Sequence, residues 1–296
     1  KNGDIVKAKI ASGQILKKLK IKKIKANKRH KLRTKIQQNH AEIIEVIGSS
    51  LDPKVFSYLA VKEHDLKNDF DINIKNEIEK LDIIDTNSRA DLRTISLVTI
   101  DGEDAKDFDD AVYAEQLSKK EGWRILVSIA DVSFFVKANS YLDKEARYRG
   151  NSVYLPNYVI PMLPEELSNN LCSLKPNQDR ACLTVEIILD NNGQKKSHSF
   201  FRSIINSKKR LTYNEVEDVI KSKFSNQDFE TNILTVIKSL HNVYKILEGL
   251  REKRGALNLE LPEKKISFDE EGWPKDVKKI YGVTSNKIIE ELMILA

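Results

Sequence analysis

Asp101-Gly102-Glu103-Asp104-Ala105-Lys106-Asp107-Phe108-Asp109-Asp110-Ala111 packs five aspartates and one glutamate between apolar, strand-like segments, Ile95 to Ile100 before it and Val112 onward after it. Two carboxylates held about 4 Å apart repel by roughly 4 kcal/mol at an effective dielectric of 20, so a cluster fixed between strands needs a cation or takes up protons. On an extended backbone Asp107 and Asp109 project to one side and Asp110 to the other, while a turn at Gly102 folds Asp101 back toward them. Three or four oxygens can then converge on one point. A calcium loop does not fit: with Asp101 at position one, Lys106 stands where glycine is required and Val112 where the bidentate glutamate belongs. A solvated acidic turn is the plainer alternative, opposed by Phe108 and the apolar flanks, which anchor the turn on a core. Carboxylates that hold Mg2+ and leave positions open to phosphate oxygens point to phosphoryl chemistry, and Mn2+ accepts the same ligands. Lys106 offers one positive charge to a phosphate, or points to solvent.

Outward from the cluster the chain alternates strand and helix. Strands are expected at Ile95 to Ile100, Ala111 to Glu115 and Trp123 to Ala130, then a helix over Tyr141 to Arg149. Ala181 to Leu189 meets the turn Asp190-Asn-Asn-Gly193 and returns through Ser197 to Ile205, a hairpin pattern. Helical periodicity covers Tyr213 to Lys223 and Asn232 to Leu250, with Ile233, Val236, Ile237 and Leu240 on one face. A last hairpin spans Lys265 to Ile280 around Asp269-Glu-Glu-Gly272. The fold class expected is α+β.

Charge is distributed unevenly. The first fifty residues carry a net +11 and the remainder −5, within a total of +6 over 296 residues. Ile5 to Ile10 and Ala41 to Gly48 read as strands around the lysine-rich stretch Lys17 to Lys35, which suggests a small OB-type barrel over residues 1–50 that meets a polyanion; a solvated basic loop is the alternative. Pro53 and the polar run Lys62 to Asn76 make residues 51–86 a linker, with a second domain over residues 87–296. Lys1 opens directly into a strand, and the helical run Asn286 to Ala296 ends without a cap, as expected of a fragment.

With 40% hydrophobic and 32% charged residues, no uninterrupted apolar run long enough to span a bilayer and no basic-then-apolar leader, the chain reads as a soluble protein with the cytosol as default compartment. Cys172 and Cys182 form no C-x-x-C pair, and the five histidines do not fall at zinc-ligand spacings beside them, so neither cysteine is assigned chemistry. An acidic cluster joined to a basic module predicts a magnesium-dependent enzyme acting on a nucleic-acid phosphodiester. Those residues leave open RNA or DNA, end or interior bond, hydrolysis or transfer.

Longer motifs narrow the choice. Arg89-Ala-Asp-Leu-Arg93 followed by Val98-Thr-Ile-Asp-Gly-Glu-Asp-Ala-Lys-Asp-Phe-Asp-Asp-Ala-Val112 closely resembles the catalytic signature of the ribonuclease II and ribonuclease R family, the RNB-domain exoribonucleases. Tyr154 to Leu174, Arg254-Gly-Ala-Leu257 and Ile288 to Ala296 continue it in the family's order, covering residues 88 to 296. The resemblance implies a mixed α/β RNB catalytic domain, truncated at its C-terminal side and preceded by a cold-shock-like OB region. It also implies a processive, monomeric, hydrolytic 3′-to-5′ exoribonuclease that degrades single-stranded RNA to nucleoside 5′-monophosphates without a small-molecule cofactor. By motif position Asp101, Asp107, Asp109 and Asp110 would be the catalytic, metal-binding aspartates. Tyr154 would stack on a base near the 3′ end, and Tyr213 with one of Glu290 or Glu291 would contact the terminal ribose. Each also has a structural reading: core for Tyr154, a helix start for Tyr213, a solvated helix position for either glutamate. Asn258-Leu-Glu departs from the family, putting Leu259 where many relatives carry an aromatic of the base clamp, so weaker stacking on short products is expected. The chain would also stop before the family's arginine-rich catalytic segment and its S1 domain. The runner-up is a catalytically inactive RNA-binding protein of the same fold, opposed by the full set of four aspartates; a magnesium-dependent DNA nuclease is opposed only by the resemblance.

Overall fold

The computed structural model describes residues 4–10, 41–81, 88–118, 121–156, 158–225, 228–257 and 262–296. The stretch Lys17 to Lys35, Asn87 and Leu259 lie outside the described residues. In chain order the elements begin with β1 (Asp4–Ile10), β2 (Ala41–Ser49), α1 (Lys54–Glu63), α2 (Ile72–Ile78), β3 (Ala90–Asp91), β4 (Val98–Asp101), β5 (Asp110–Gln116) and β6 (Trp123–Ala130). There follow α3 (Val132–Phe135), α4 (Tyr141–Arg149), β7 (Val153–Leu155), β8 (Tyr158–Ile160), a π-helical turn (Leu167–Leu171), β9 (Asp179–Leu189) and β10 (Lys195–Asn206). The last are β11 (Lys209–Thr212), α5 (Tyr213–Lys221), α6 (Thr231–Lys253), β12 (Glu263–Phe268), β13 (Pro274–Ile280) and α7 (Thr284–Leu295).

The chain divides into two units. One takes the described residues up to Asp69 together with Ser152–Ile160 and Lys264–Lys279. In it β1 and β2 pair antiparallel, with Val6 opposite Val46. For the small barrel expected over residues 1–50 the described residues supply this one pair. Helix α1 buries Val55 and Val61, and edge-on ring contacts join Phe56 to Trp273 and Tyr58 to Tyr158.

Residues 51–86, expected as a linker, carry α1 and α2 among their described residues. Pro53 presets the first turn of α1 and the Asp52 carboxylate accepts from the Lys54 N–H at 2.9 Å. Asp71 caps α2 by accepting from the Asn73 N–H at 2.9 Å. Val55 and Val61 of α1 are buried in the first unit, whereas Ile74 of α2 joins a core of the second. Polar composition concealed two short helices with few apolar positions, of which Val55 of α1 packs beside Gly48 of β2.

The second unit is built on a seven-stranded mixed sheet in the order β11-β4-β5-β6-β9-β10-β3. Its inner pairs are antiparallel, while β11 runs parallel to β4 and β3 parallel to β10. Period-two alternation divides the side chains between two cores. Trp123, Ile125 and Val127 of β6 pack with Val185, Ile187 and Leu189 of β9 among residues of α5, α6 and α7. Leu126 and Ala130 face the opposite way, toward Phe135, Leu142, Leu167 and Leu174. The β9–β10 hairpin turns where expected, the Asp190 carboxylate accepting from the Asn192 and Gln194 N–H groups. Among the described residues no helix is long and apolar enough to cross a membrane.

Between β5 and β6, Gly122 has a φ of +99°, and a Cβ there would lie 2.0 Å from the Leu189 carbonyl oxygen. Backbone, not a yielding side chain, blocks it. Gly122→Ala is expected to cost about 2–3 kcal/mol, read as a lower urea midpoint at unchanged slope.

Candidate active site

Asp101 ends β4 and Asp110 begins β5, so the acidic stretch is the connection between two neighbouring strands. The loop is tied down at several points. The Ser173 hydroxyl accepts from the Phe108 N–H at 3.1 Å and donates to the Lys106 carbonyl at 2.9 Å. Leu174 N–H donates to the Phe108 carbonyl at 2.8 Å and Ala130 N–H to the Asp109 carbonyl at 2.9 Å. Phe108 itself is buried. From β11, Arg210 donates through Nη2 to the carbonyls of Gly102 and Glu103, at 2.6 and 3.0 Å, with its guanidinium 5.6 Å from the Phe108 ring centre.

This clamp holds like charges together. Asp101 is pushed up to about 7, by burial first and then by the charge of Asp110; Arg210 draws it back, and Asp109 and Asp107 add to it. Asp110 rises to about 6, through burial and then Asp109. Asp109, though an exposed residue, is raised by burial of its carboxyl and by Asp107. The Oδ2 atoms of Asp101 and Asp110 are buried without a hydrogen-bond partner. Two orphaned carboxylate oxygens amid further aspartates form a hard oxygen donor set that fits Mg2+ or Mn2+. Among the described residues no three acidic, histidine or cysteine side chains already form a cage.

Tyr213 belongs to the site. Parallel pairing sets Thr212 opposite Asp101, and the next residue, Tyr213, opens α5. Its phenol is raised by burial, then by the charges of Asp101 and Asp110, against a hydrogen bond with the Asn286 side chain. The helix-start reading therefore holds for Tyr213, and its phenol lies near enough to feel the charges of Asp101 and Asp110. The Ser285 hydroxyl donates to the Tyr213 carbonyl at 2.8 Å, which sets the start of α7 against it.

The glutamates separate. Glu290 is exposed and Glu291 is 5% exposed, and both accept from Arg251 Nη1 of α6, at 3.0 and 2.6 Å. Their contacts are to Arg251, not to the aspartates. Tyr154 lies in the other unit, on β7 opposite Val159, and is 67% exposed, which excludes the core reading. Lys106 is exposed. Two groups of weight went unassigned in the sequence. Arg210 lies three residues before Tyr213, but the parallel β11–β4 pairing that gives it a role has no local signal. Arg89 forms a buried ion pair with Asp131 at 2.7 Å, directly after the Ala130 that holds Asp109.

Residues 89–296 match the family model of the RNB domain. The chain belongs to the RNB-domain family. It is 39% identical over 259 residues to the Ribonuclease R of Vibrio parahaemolyticus serotype O3:K6, covering 86% of this chain and 31% of that protein. It is 38% identical to the Ribonuclease R of Escherichia coli K12, covering 86% and 32%. Among solved structures, Mycoplasma genitalium RNase R in complex with ribose methylated single-stranded RNA superposes with a TM-score of 0.80 at 30% identity, over 86% of this chain and 40% of that one. The chain thus spans about a third of the length of these curated relatives.

The carboxyl shifts give a signed expectation for the metal-free protein. Folded pKa values near 7 and 6 stand above the unfolded value of about 3.9. Folding then binds protons, and stability falls as pH rises from about 4 through 7. Asp101→Asn removes the largest such group. In chelator its Tm should exceed that of the wild type at pH 8 and match it at pH 4, and added Mg2+ should raise the wild-type Tm more than the variant's.

Proposed function

We propose that the protein is the metal-dependent, hydrolytic 3′-to-5′ exoribonuclease that its family implies, processive on single-stranded RNA and releasing nucleoside 5′-monophosphates as a cytosolic monomer. The observation that carries the proposal is the pair of buried, unpartnered oxygens on Asp101 and Asp110, at the joined ends of β4 and β5, in a chain of the RNB-domain family. Support for RNA comes from the relative solved with single-stranded RNA.

In this proposal Asp101, Asp107, Asp109 and Asp110 hold the divalent cation, Mg2+ or Mn2+, which when bound activates water and steadies charge on phosphate oxygens. Water adds to the phosphorus of the terminal nucleotide. The P–O3′ bond to the preceding nucleotide breaks and that O3′ leaves as a hydroxyl, so the phosphate stays on the released nucleoside's 5′ oxygen. Arg210 fixes the loop by its two carbonyl bonds. Both bonds come from the one Nη2 nitrogen, so Arg210→Ala, which removes them together, is expected to lower turnover about tenfold or more with little change in RNA affinity. Tyr213, raised by burial and by two carboxylates, keeps its proton and serves as a donor toward a ribose or phosphate oxygen rather than as a base. Tyr154, exposed on β7, offers a face for base stacking.

The test uses 5′-labelled single-stranded RNA with the full-length protein, wild type and Asp109→Asn, each in Mg2+ and in chelator. The expected result is a metal-dependent ladder that shortens from the 3′ end and is absent in Asp109→Asn. Wild-type protein that binds the RNA in Mg2+ but never shortens it would leave the RNA-binding reading in its place. DNA of the same sequence should remain intact. Affinity should also fall steeply with salt if the lysines between residues 7 and 35 contact phosphates.

A further inference from the structure

The described residues leave part of one face of the second unit's sheet exposed. Cross-strand register sets Asp110 opposite Ile129, Ile129 opposite Leu183, and Leu183 opposite Arg202, one row running from β5 to β10. Opposed residues share a face. Ile129 is 39% exposed, Leu183 47% and the Arg202 side chain 60%. One pair further along, Phe200 lies opposite Val185 and His198 opposite Ile187, on the face that α5 to α7 cover elsewhere. Phe200 is 58% exposed, with the His198 ring 5.7 Å away edge-on. On the opposite face of β10, Ser197 and Ser199 are small and polar, and Phe201 is half-buried against the second core.

We propose that His198, Phe200 and Arg202, with Leu183 and Ile129, form a track for single-stranded RNA that leads to the aspartates. The inference rests on the exoribonuclease reading and assigns that substrate a second contact surface. Three observations choose RNA as the occupant. Flat rings exposed on a sheet face stack on bases without regard to sequence. Arg202 carries surplus positive charge: Asp131 is paired with buried Arg89 at 2.7 Å, while Arg202 reaches it only at 3.6 Å, so two guanidiniums share one carboxylate. The row is also continuous with Asp110, three strand spacings or about 14 Å from Arg202.

The test is RNA binding to the full-length protein in chelator, by anisotropy of 5′-labelled single-stranded oligonucleotides, for wild type, Phe200→Ala and Arg202→Gln, with Tm measured on each. Oligonucleotides carrying photoactivatable 4-thiouridine at successive distances from the 3′ end map the path by crosslinking. Phe200→Ala should weaken binding of long oligonucleotides about tenfold and leave that of the shortest unchanged. Arg202→Gln should flatten the log–log salt dependence by about 0.7. Both should keep the wild-type Tm, and crosslinks should fall within residues 198–202. If wild type binds RNA but the variants bind equally well and no crosslink reaches β10, the track is wrong while the exoribonuclease reading stands. Lower Tm in both variants with crosslinks elsewhere would identify the stripe as a protein contact and also overturn the track. Failure of wild type to bind RNA at all would remove the underlying reading and the track with it.

Discussion

Mutual repulsion among Asp101, Asp107, Asp109 and Asp110 is the constraint around which this unit is arranged. Left to itself, a loop carrying that charge would swing its carboxylates into water. Instead it is fastened on three sides: by Ser173 and Leu174 at its centre, by Ala130 at Asp109, and by Arg210 at its first turn. Phe108, buried between two of the aspartates, adds the weight of a full aromatic side chain, of order 1.5–3 kcal/mol. Nearly every tie is to backbone, and one oxygen each of Asp101 and Asp110 stays without a hydrogen-bond partner. The raised pKa values of Asp101 and Asp110 record what that positioning costs.

The ties come from elements that are themselves fixed behind the site. Arg89, with 2% of its side chain exposed, binds Asp131 and reaches the carbonyls of Cys182 on β9 and Ser203 on β10. Burial alone would raise Asp131, but hydrogen bonds from Arg89 and Ser133 outweigh it and hold the carboxyl below its ordinary value. A buried pair of this kind contributes little net stability, since desolvation offsets most of the attraction. Its use is positional: it locks the end of β6 next to β9 and β10, and β6 ends at the Ala130 that grips Asp109.

Local pattern revealed much of this, and its failures have a common cause. Alternation and turn chemistry were enough for β6, the β9–β10 hairpin and α4, and 3.6-residue periodicity located α5 and α6. The crowding of the aspartates between β4 and β5 was legible because like charges packed between apolar segments violate local expectation. What could not be read was which strand lies beside which. Nothing in Lys209 to Thr212 announces that it pairs parallel with β4, so the role of Arg210 was invisible. Ile95 also reads as strand, yet its N–H closes a turn onto the Leu92 carbonyl, and β4 starts only at Val98. The β7–β8 and β12–β13 segments belong with the first unit although they lie far along the chain, again a matter of long-range partners. For Glu290 and Glu291 the answer was within reach: Ile288 and Leu292 define the buried stripe of α7, and Glu291 falls on its flank.

Thr212 shows why the site still looks outward for charge. It ends β11 opposite Asp101 and begins α5, whose positive N-terminal end is thereby brought to the aspartates and could in principle balance them. The capping box consumes that resource. The Thr212 hydroxyl accepts from the Glu215 N–H at 3.1 Å, and the Glu215 carboxylate accepts from the Thr212 N–H at 2.6 Å. An additional negative charge therefore occupies the helix start, and Asp101 and Asp110 keep their unpartnered oxygens. Arg210 spends its Nη2 bonds on backbone carbonyls and only partly offsets Asp101. With the nearby helix end closed and the nearby arginine committed, the charge of Asp101 and Asp110 is left to be relieved by protons or, in the function proposed above, by a small cation that takes oxygen ligands.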